Sequence, residues 1–193
     1  MPIQVYNTLT RQKQPLNPVQ AGQVGMYLCG PTVYDDCHIG HLMGPVLYDA
    51  VARWLRARGL AVRFVNNITD IDDKIIAKAQ ASGESWQDIT AHYTAQYFDL
   101  LRRLHVVTIT DHPRCTGHVP QMVDYIADLV RSGRAYVAED GVYYEVSQQP
   151  GYGKLSGRRL DEMVADAEKE GKLAHGLRSR ADFALWKRVK PGE

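Results

Sequence analysis

The stretch YLCGPTVYDDCHIGH, residues 27–41, decides how the chain is read, because it begins like a buried strand and ends like the opening of a helix. Two cysteines, two histidines and two glycines fall inside it, and three readings compete. A closed zinc site from Cys29, Cys37, His38 and His41 needs a spacing, C-x7-C-H-x2-H, that matches none of the usual structural zinc patterns, and it would place Gly40 inside the ligand set. A buried thiol followed by surface polar residues is the plainest alternative. The third reading uses the order of the parts: strand, Cys29-Gly30, a hydroxyl-bearing turn, then His-x-Gly-His at the start of a helix. Helix N-termini carry unpaired N–H groups and a partial positive charge that attract phosphate. Gly40 lets the backbone come close to a nucleotide, and His38 and His41 add donors. This is a nucleotide cradle without a Walker lysine.

Working outward, VGMYLCG (24–30) and AVRFVNNIT (61–69) are short apolar runs with strand character. Between them Leu47, Val51, Trp54 and Leu55 form an apolar stripe at helical spacing, with Arg58 reaching solvent and Gly59 as the stop. Strand, helix and strand predict a right-handed βαβ unit with parallel strands, and the quoted stretch then lies at the carboxyl edge where open α/β sheets bind ligands. ESWQDITAHYTAQYFDLLRRLH predicts a long amphipathic helix with Trp86, Ile89, Tyr93, Tyr97, Leu100 and Leu104 on its inner face. HPRCTGH breaks the pattern. HVPQMVDYIADLVRSG resumes it through Met122, Ile126 and Leu129, closed by Gly133. AYVAEDGVYYEV predicts a hairpin turning at Asp140-Gly141. A loop, a short charged helix and a strand in DFALWKRVK complete the chain. The change of pattern near residue 111 divides it into 1–110, a βαβ-type part, and 111–193, a smaller α+β insert.

Composition constrains function more loosely. A chain of 193 residues, 45% hydrophobic and 23% charged, builds one sizeable core or one core and an insert. Its formal charge of +1 gives no electrostatic footprint for nucleic acid, so such a role has to be argued from a site. Three cysteines cannot all pair internally, the N-terminus has no apolar signal core, and no run approaches the ~20 apolar residues of a membrane span. The expectation is a cytoplasmic protein with no membrane partner.

HIGH after a first strand is the signature of class I aminoacyl-tRNA synthetases. Together with VNNITDIDDKII, YNTLTRQK near the start and FALWK near the end, residues 27–41 resemble the cysteinyl-tRNA synthetase family over essentially the whole chain. The resemblance implies the first half of a Rossmann-like class I nucleotide-binding domain with an α+β connective insert. It implies a ligase that uses ATP, with magnesium, to make cysteinyl-adenylate and passes the cysteinyl group to tRNA(Cys). His38, Gly40 and His41 match the catalytic signature, Gly30, Thr32, Asn67 and Thr69 the substrate and adenylate pocket, and Cys29 a ligand of the zinc that distinguishes thiol from alcohol. For Asp70, Asp72 and Asp73 helix capping is the expected role.

Leu42-Met43 stands where the family usually has a small residue and an arginine. The family's remaining zinc ligands, its lysine-rich loop and its anticodon-binding part are not in the sequence, so the expected state is an amino-terminal portion, inactive alone, that is completed by a C-terminal half. Cys115, His112 and His118 are not nominated as substitute ligands. The alternatives are the related cysteine ligase of thiol (mycothiol-type) biosynthesis, whose motifs usually read TPYD and HLGH, or a short non-catalytic paralogue that binds nucleotide or cysteine.

Overall fold

The computed structural model describes residues 2–169 and 176–189. Its contacts form two compact units, Asn17–Val119 and the combination of Met1–Leu16 with Pro120–Glu193. The expected division at 110/111 is thus displaced in the contacts. Residues 111–115 run parallel beside the strand end at 65–68, with bridges Val65 to Asp111 and Ile68 to Arg114, and so pack with the first part of the chain.

In the Asn17–Val119 unit, β3 (Gln23–Leu28) and β4 (Ala61–Asn66) pair in parallel, in register from Gln23 opposite Ala61 to Leu28 opposite Asn66. The helix between them, α1 (Ile39–Ala57), contacts β4, and α2 (Asp73–Ser82) and α3 (Trp86–Arg103) pack on each other. One cluster of Val33, Ile68, Tyr97, Leu101 and Val106, flanked by Cys37, Leu42, Tyr93 and Ile109, lies directly under the loop after β3.

The two helical stripes differ from expectation. Helix α1 buries Pro45, Asp49, Ala52 and Leu55, whereas Leu47 is 61% and Trp54 50% exposed. The buried face is built around a carboxylate: Asp49 accepts from the N–H groups of Val107 and Thr108, from the Thr108 hydroxyl at 2.7 Å and from Arg53 at 2.6 Å. A fully hydrogen-bonded charge is tolerated inside where an unpaired one is not, so apolarity misjudged the face. Helix α3 buries Ile89, Thr90, Thr94, Tyr97 and Leu101, and leaves Trp86 and Leu104 exposed.

In the other unit β1 (Gln4–Asn7) and β2 (Gln12–Pro15) form an antiparallel hairpin that the sequence reading did not anticipate. Helix α4 (Val119–Arg131) precedes a three-stranded antiparallel sheet ordered β5 (Ala135–Val137), β6 (Gly141–Tyr144), β7 (Phe183–Lys187). Gly141 opens β6 rather than making the turn. A Cβ there would stand 2.3 Å from the Trp186 carbonyl oxygen, so glycine admits β7 to the sheet. The charged helix, α5, spans Leu160–Lys169; residues 170–175 and 190–193, parts of the charged segment and the tail, lie outside the described residues. Among the described residues no helix is long and apolar enough to cross a membrane.

Candidate functional site

The floor of the candidate site is the carboxyl end of the parallel pair. Asn66, the last residue of β4, is fully buried. Its amide Nδ2 donates to the Leu28 carbonyl at 3.1 Å, and its Oδ1 accepts from the Tyr97 hydroxyl at 2.6 Å, tying both strands to α3. Burial pushes the Tyr97 phenol far up, with Cys37 adding to the effect, so it remains a donor. Beyond the strands the pairing continues: Thr69 N–H donates to the Pro31 carbonyl and Val33 N–H to the Thr69 carbonyl. Asp70, 3% exposed, receives the N–H and hydroxyl of Thr116 at 3.0 and 2.6 Å and faces Arg114 at 3.6 Å. Asp70 therefore anchors residues 114–116; the N-cap of α2 is Asp72, which accepts from the Lys74 N–H.

Asn67 holds the loop that follows β3. Its Oδ1 accepts from the Gly30 N–H at 2.8 Å and from the Tyr27 hydroxyl at 2.9 Å, and its Nδ2 donates to Thr69 Oγ1 at 3.1 Å. Gly30 is required for this approach, since a Cβ at residue 30 would lie 1.5 Å from the Asn67 carbonyl oxygen.

The histidines form the entrance to α1. His38 is its N-cap: His38 Nδ1 accepts from the Gly40 N–H at 3.1 Å, while His41 Nδ1 accepts from the His38 N–H at 3.2 Å, a reciprocal capping box built from imidazoles. The rings stack at 3.9 Å between centroids. Because each Nδ1 is an acceptor, the neutral ring carries its proton on Nε2, and both imidazoles present an Nε2–H donor away from the cap. Burial, then the neighbouring His38, holds the His41 pKa below the ordinary histidine value and favours that neutral form. The N–H groups of Gly40 and His41 are themselves already bonded, the second to the His38 carbonyl. Donor capacity at this helix end has passed from backbone to side chains. A Cβ at Gly40 would stand 2.9 Å from the His38 ring, so this glycine makes room for the folded-back imidazole.

Between Gly30 and His38 the loop is held from α2 and α3. Lys78 reaches Asp35 at 3.1 Å and the Tyr93 hydroxyl at 2.8 Å, and Gln96 donates to Asp36 at 2.7 Å while accepting from the Cys37 N–H. Cys37 sits against the apolar cluster, and burial and then Asp36 raise its thiol pKa. Cys29 is exposed at the end of β3, its thiol 3.6 Å from the Gly30 carbonyl. Burial, then Cys29, then Cys115, push the Tyr27 phenol up, which places both thiols within electrostatic reach of it. Among the described residues no three His, Cys, Asp or Glu side chains converge on a metal position. His112 Nδ1 instead meets the Asn66 carbonyl at 2.9 Å, and His118 Nδ1 the Arg114 carbonyl.

All eight residues singled out from the sequence lie in this one unit. Gly30, Asn67 and Thr69 are joined by direct hydrogen bonds, His38, Gly40 and His41 by the capping box, Thr32 by its bridge to Thr69; Cys29 stands at the strand end. Tyr27 was missed although it is the first letter of the quoted stretch. Strand alternation, which puts residues 27 and 29 on one face, was the available signal. Asn66, Lys78 and Gln96 carried no comparable signal, because their partners are 15 to 60 residues away.

Residues 15–193 match the family model described as tRNA synthetases class I (C) catalytic domain. The chain belongs to this family. Relatives named cysteine--tRNA ligase include those of Aeropyrum pernix, 47% identical over 99% of this chain, Hahella chejuensis, 46% over 99%, and Thermococcus onnurineus, 43% over 100%. The chain spans about 40% of the length of these relatives. A solved structure of Mycobacterium tuberculosis methionyl-tRNA synthetase in complex with methionyl-adenylate superposes with a TM-score of 0.53 at 20% identity, over 64% of this chain and 25% of that one. For the class I (C) domain that likeness supports the Rossmann-like α/β fold. The parallel strands and the helix entered through His38 are its local expression.

Proposed function

We propose that the chain is the amino-terminal part of the catalytic domain of a cysteine--tRNA ligase. In this reading the carboxylate of cysteine attacks the α-phosphorus of ATP, supplied with magnesium, and the bond to pyrophosphate breaks; a hydroxyl of the terminal adenosine of tRNA(Cys) then takes the cysteinyl group as the acyl–phosphate bond breaks and AMP leaves. The observation that carries it is the imidazole capping box: two stacked rings at the mouth of α1 whose Nδ1 atoms are occupied by backbone N–H groups, which leaves the proton of each neutral ring on Nε2. Negative charge grows on the phosphate oxygens in the transition state, and donors fixed in advance stabilise it without reorganising. His38 and His41 are the proposed catalytic residues, with Gly40 giving His38 its place.

Cys29 is proposed as one ligand of a zinc ion. A single thiol does not fill a four-coordinate site, so its other ligands would lie outside the described residues. Bound there, zinc would favour a thiolate over an alcohol. Gly30, Thr32, Asn67 and Thr69 are proposed to shape the amino-acid and adenylate pocket beside it.

The test is cysteine-dependent ATP–pyrophosphate exchange in the full-length protein. His38→Ala and His41→Ala are each expected to lower the exchange rate by roughly 10²–10³ with little change in cysteine affinity. A parent protein without cysteine-dependent exchange, or histidine variants that keep full rate, would refute the assignment.

A further inference from the structure

Hydroxyl groups ordinarily donate or accept as a ligand requires, because the proton rotates. Around Asn67 that freedom is removed. The Gly30 N–H can only donate, so the amide atom facing it at 2.8 Å is the oxygen, and the amide orientation follows without choice. An amide oxygen only accepts, so Tyr27, 2.9 Å from it, must spend its proton inward. An amide nitrogen only donates, so Thr69 Oγ1, 3.1 Å from it, spends a lone pair inward and keeps its own proton. One side chain has given two hydroxyls opposite outward polarities. Tyr27 offers lone pairs, and Thr69 offers a hydrogen.

We infer that this pair reads the two charged ends of an α-amino acid, Tyr27 accepting from the α-ammonium and Thr69 donating to the α-carboxylate. The inference rests on the reading that the site activates an amino acid. An ammonium needs acceptors only and a carboxylate donors only, so preset polarity favours a zwitterion over a neutral ligand of the same shape. Position agrees: Tyr27 is 69% exposed at the end of β3, two residues before Cys29, and Thr69 is half-buried across the Asn67 amide. Asn67 becomes a positioning residue, and Tyr27 joins the site as a specificity determinant.

The test uses the full-length protein and three probes competing in cysteine-dependent ATP–pyrophosphate exchange: serial dilutions of cysteine, cysteamine, which lacks the carboxylate, and 3-mercaptopropionate, which lacks the ammonium. Hydrogen bonds to charged groups contribute about 1.5–3 kcal/mol, or roughly ten- to a hundredfold in affinity. Tyr27→Phe is expected to weaken cysteine and cysteamine by that factor and leave 3-mercaptopropionate unchanged. Thr69→Val is expected to weaken cysteine and 3-mercaptopropionate and spare cysteamine. Asn67→Asp, which turns the Thr69 proton inward, should weaken 3-mercaptopropionate as Thr69→Val does. Equal losses for all three probes, or none, in an active parent would overturn the inference alone, since a structural role has no preference among them. Absence of exchange in the parent would overturn the functional reading and this inference with it.

Discussion

The segments that leave the two parallel strands are fixed in opposite ways. From the last residue of β4 onward, Asn66, Ile68 and Asp70 are buried and spend their polar groups on α3, on the loop at 111–116 and on the neighbouring strand. After β3, Cys29, Asp35, Asp36, His38 and Gly40 are exposed, and much of the loop is held by groups from outside it: Asn67, Lys78 and Gln96. A rigid floor thus positions an exposed rim whose chemistry is still available. On the proposed function, that division makes the floor sensitive in stability and the rim sensitive in activity.

The sharpest way to break the comparison is Gly30→Ala, where floor and rim meet. The added Cβ would collide with backbone rather than with a flexible side chain, so a loss above about 4 kcal/mol in urea unfolding is expected, together with loss of exchange activity. Asn66→Ala should come next. It strands the Tyr97 hydroxyl and the Leu28 carbonyl, at about 1–3 kcal/mol for each buried group left unsatisfied, and should lower the urea midpoint before it alters cysteine affinity.

A pH series sharpens the same contrast at Asp49. Burial alone would raise its pKa, but the hydrogen bonds from Thr108, Arg53 and Val107 outweigh it and hold the carboxyl below its ordinary value. The stability this group supplies is complete above the unfolded pKa near 4 and is lost as pH falls through the lower folded value. Asp49→Asn should therefore flatten the acid limb of the stability profile, measured by thermal unfolding from pH 6 down to pH 2.

The smallest effect belongs to the rim. With its folded pKa depressed, His41 disfavours protonation in the folded state, so stability should decline slightly as pH falls through the ordinary histidine value of about 6.5. Nitrogen-15 shifts should show the Nε2–H tautomer in both His38 and His41 at neutral pH. An Nδ1–H ring in either would dismantle the capping box.

How much of this was legible follows the same line. Residues 27–41 and 61–69 announced the two strands and the helix entrance because strand character, glycine and the histidine pair act within a few residues. The parallel pairing followed from the length of the connection. The inner faces of α1 and α3 were misplaced, since Asp49, Thr90 and Thr94 are buried through partners or packing that hydropathy does not register. The β1–β2 hairpin was missed because QVYN and QKQP have almost no apolar alternation and the turn depends on Asn7 and a left-handed Arg11. For the site, residue types were readable, but the polarity of Tyr27 and Thr69 was not: it exists only once Gly30 is brought against Asn67.

That approach has a genetic consequence. Every nonsynonymous, non-stop change at a glycine codon adds a Cβ, and at residue 30 any Cβ meets the same carbonyl oxygen. Gly25, five residues earlier in β3, has nothing within 4 Å of an added Cβ and can drift. Two glycines of one strand and its loop thus lie on different mutational terrain: one borders many tolerated alleles, and the other is an island that single-step inheritance cannot leave while the fold survives.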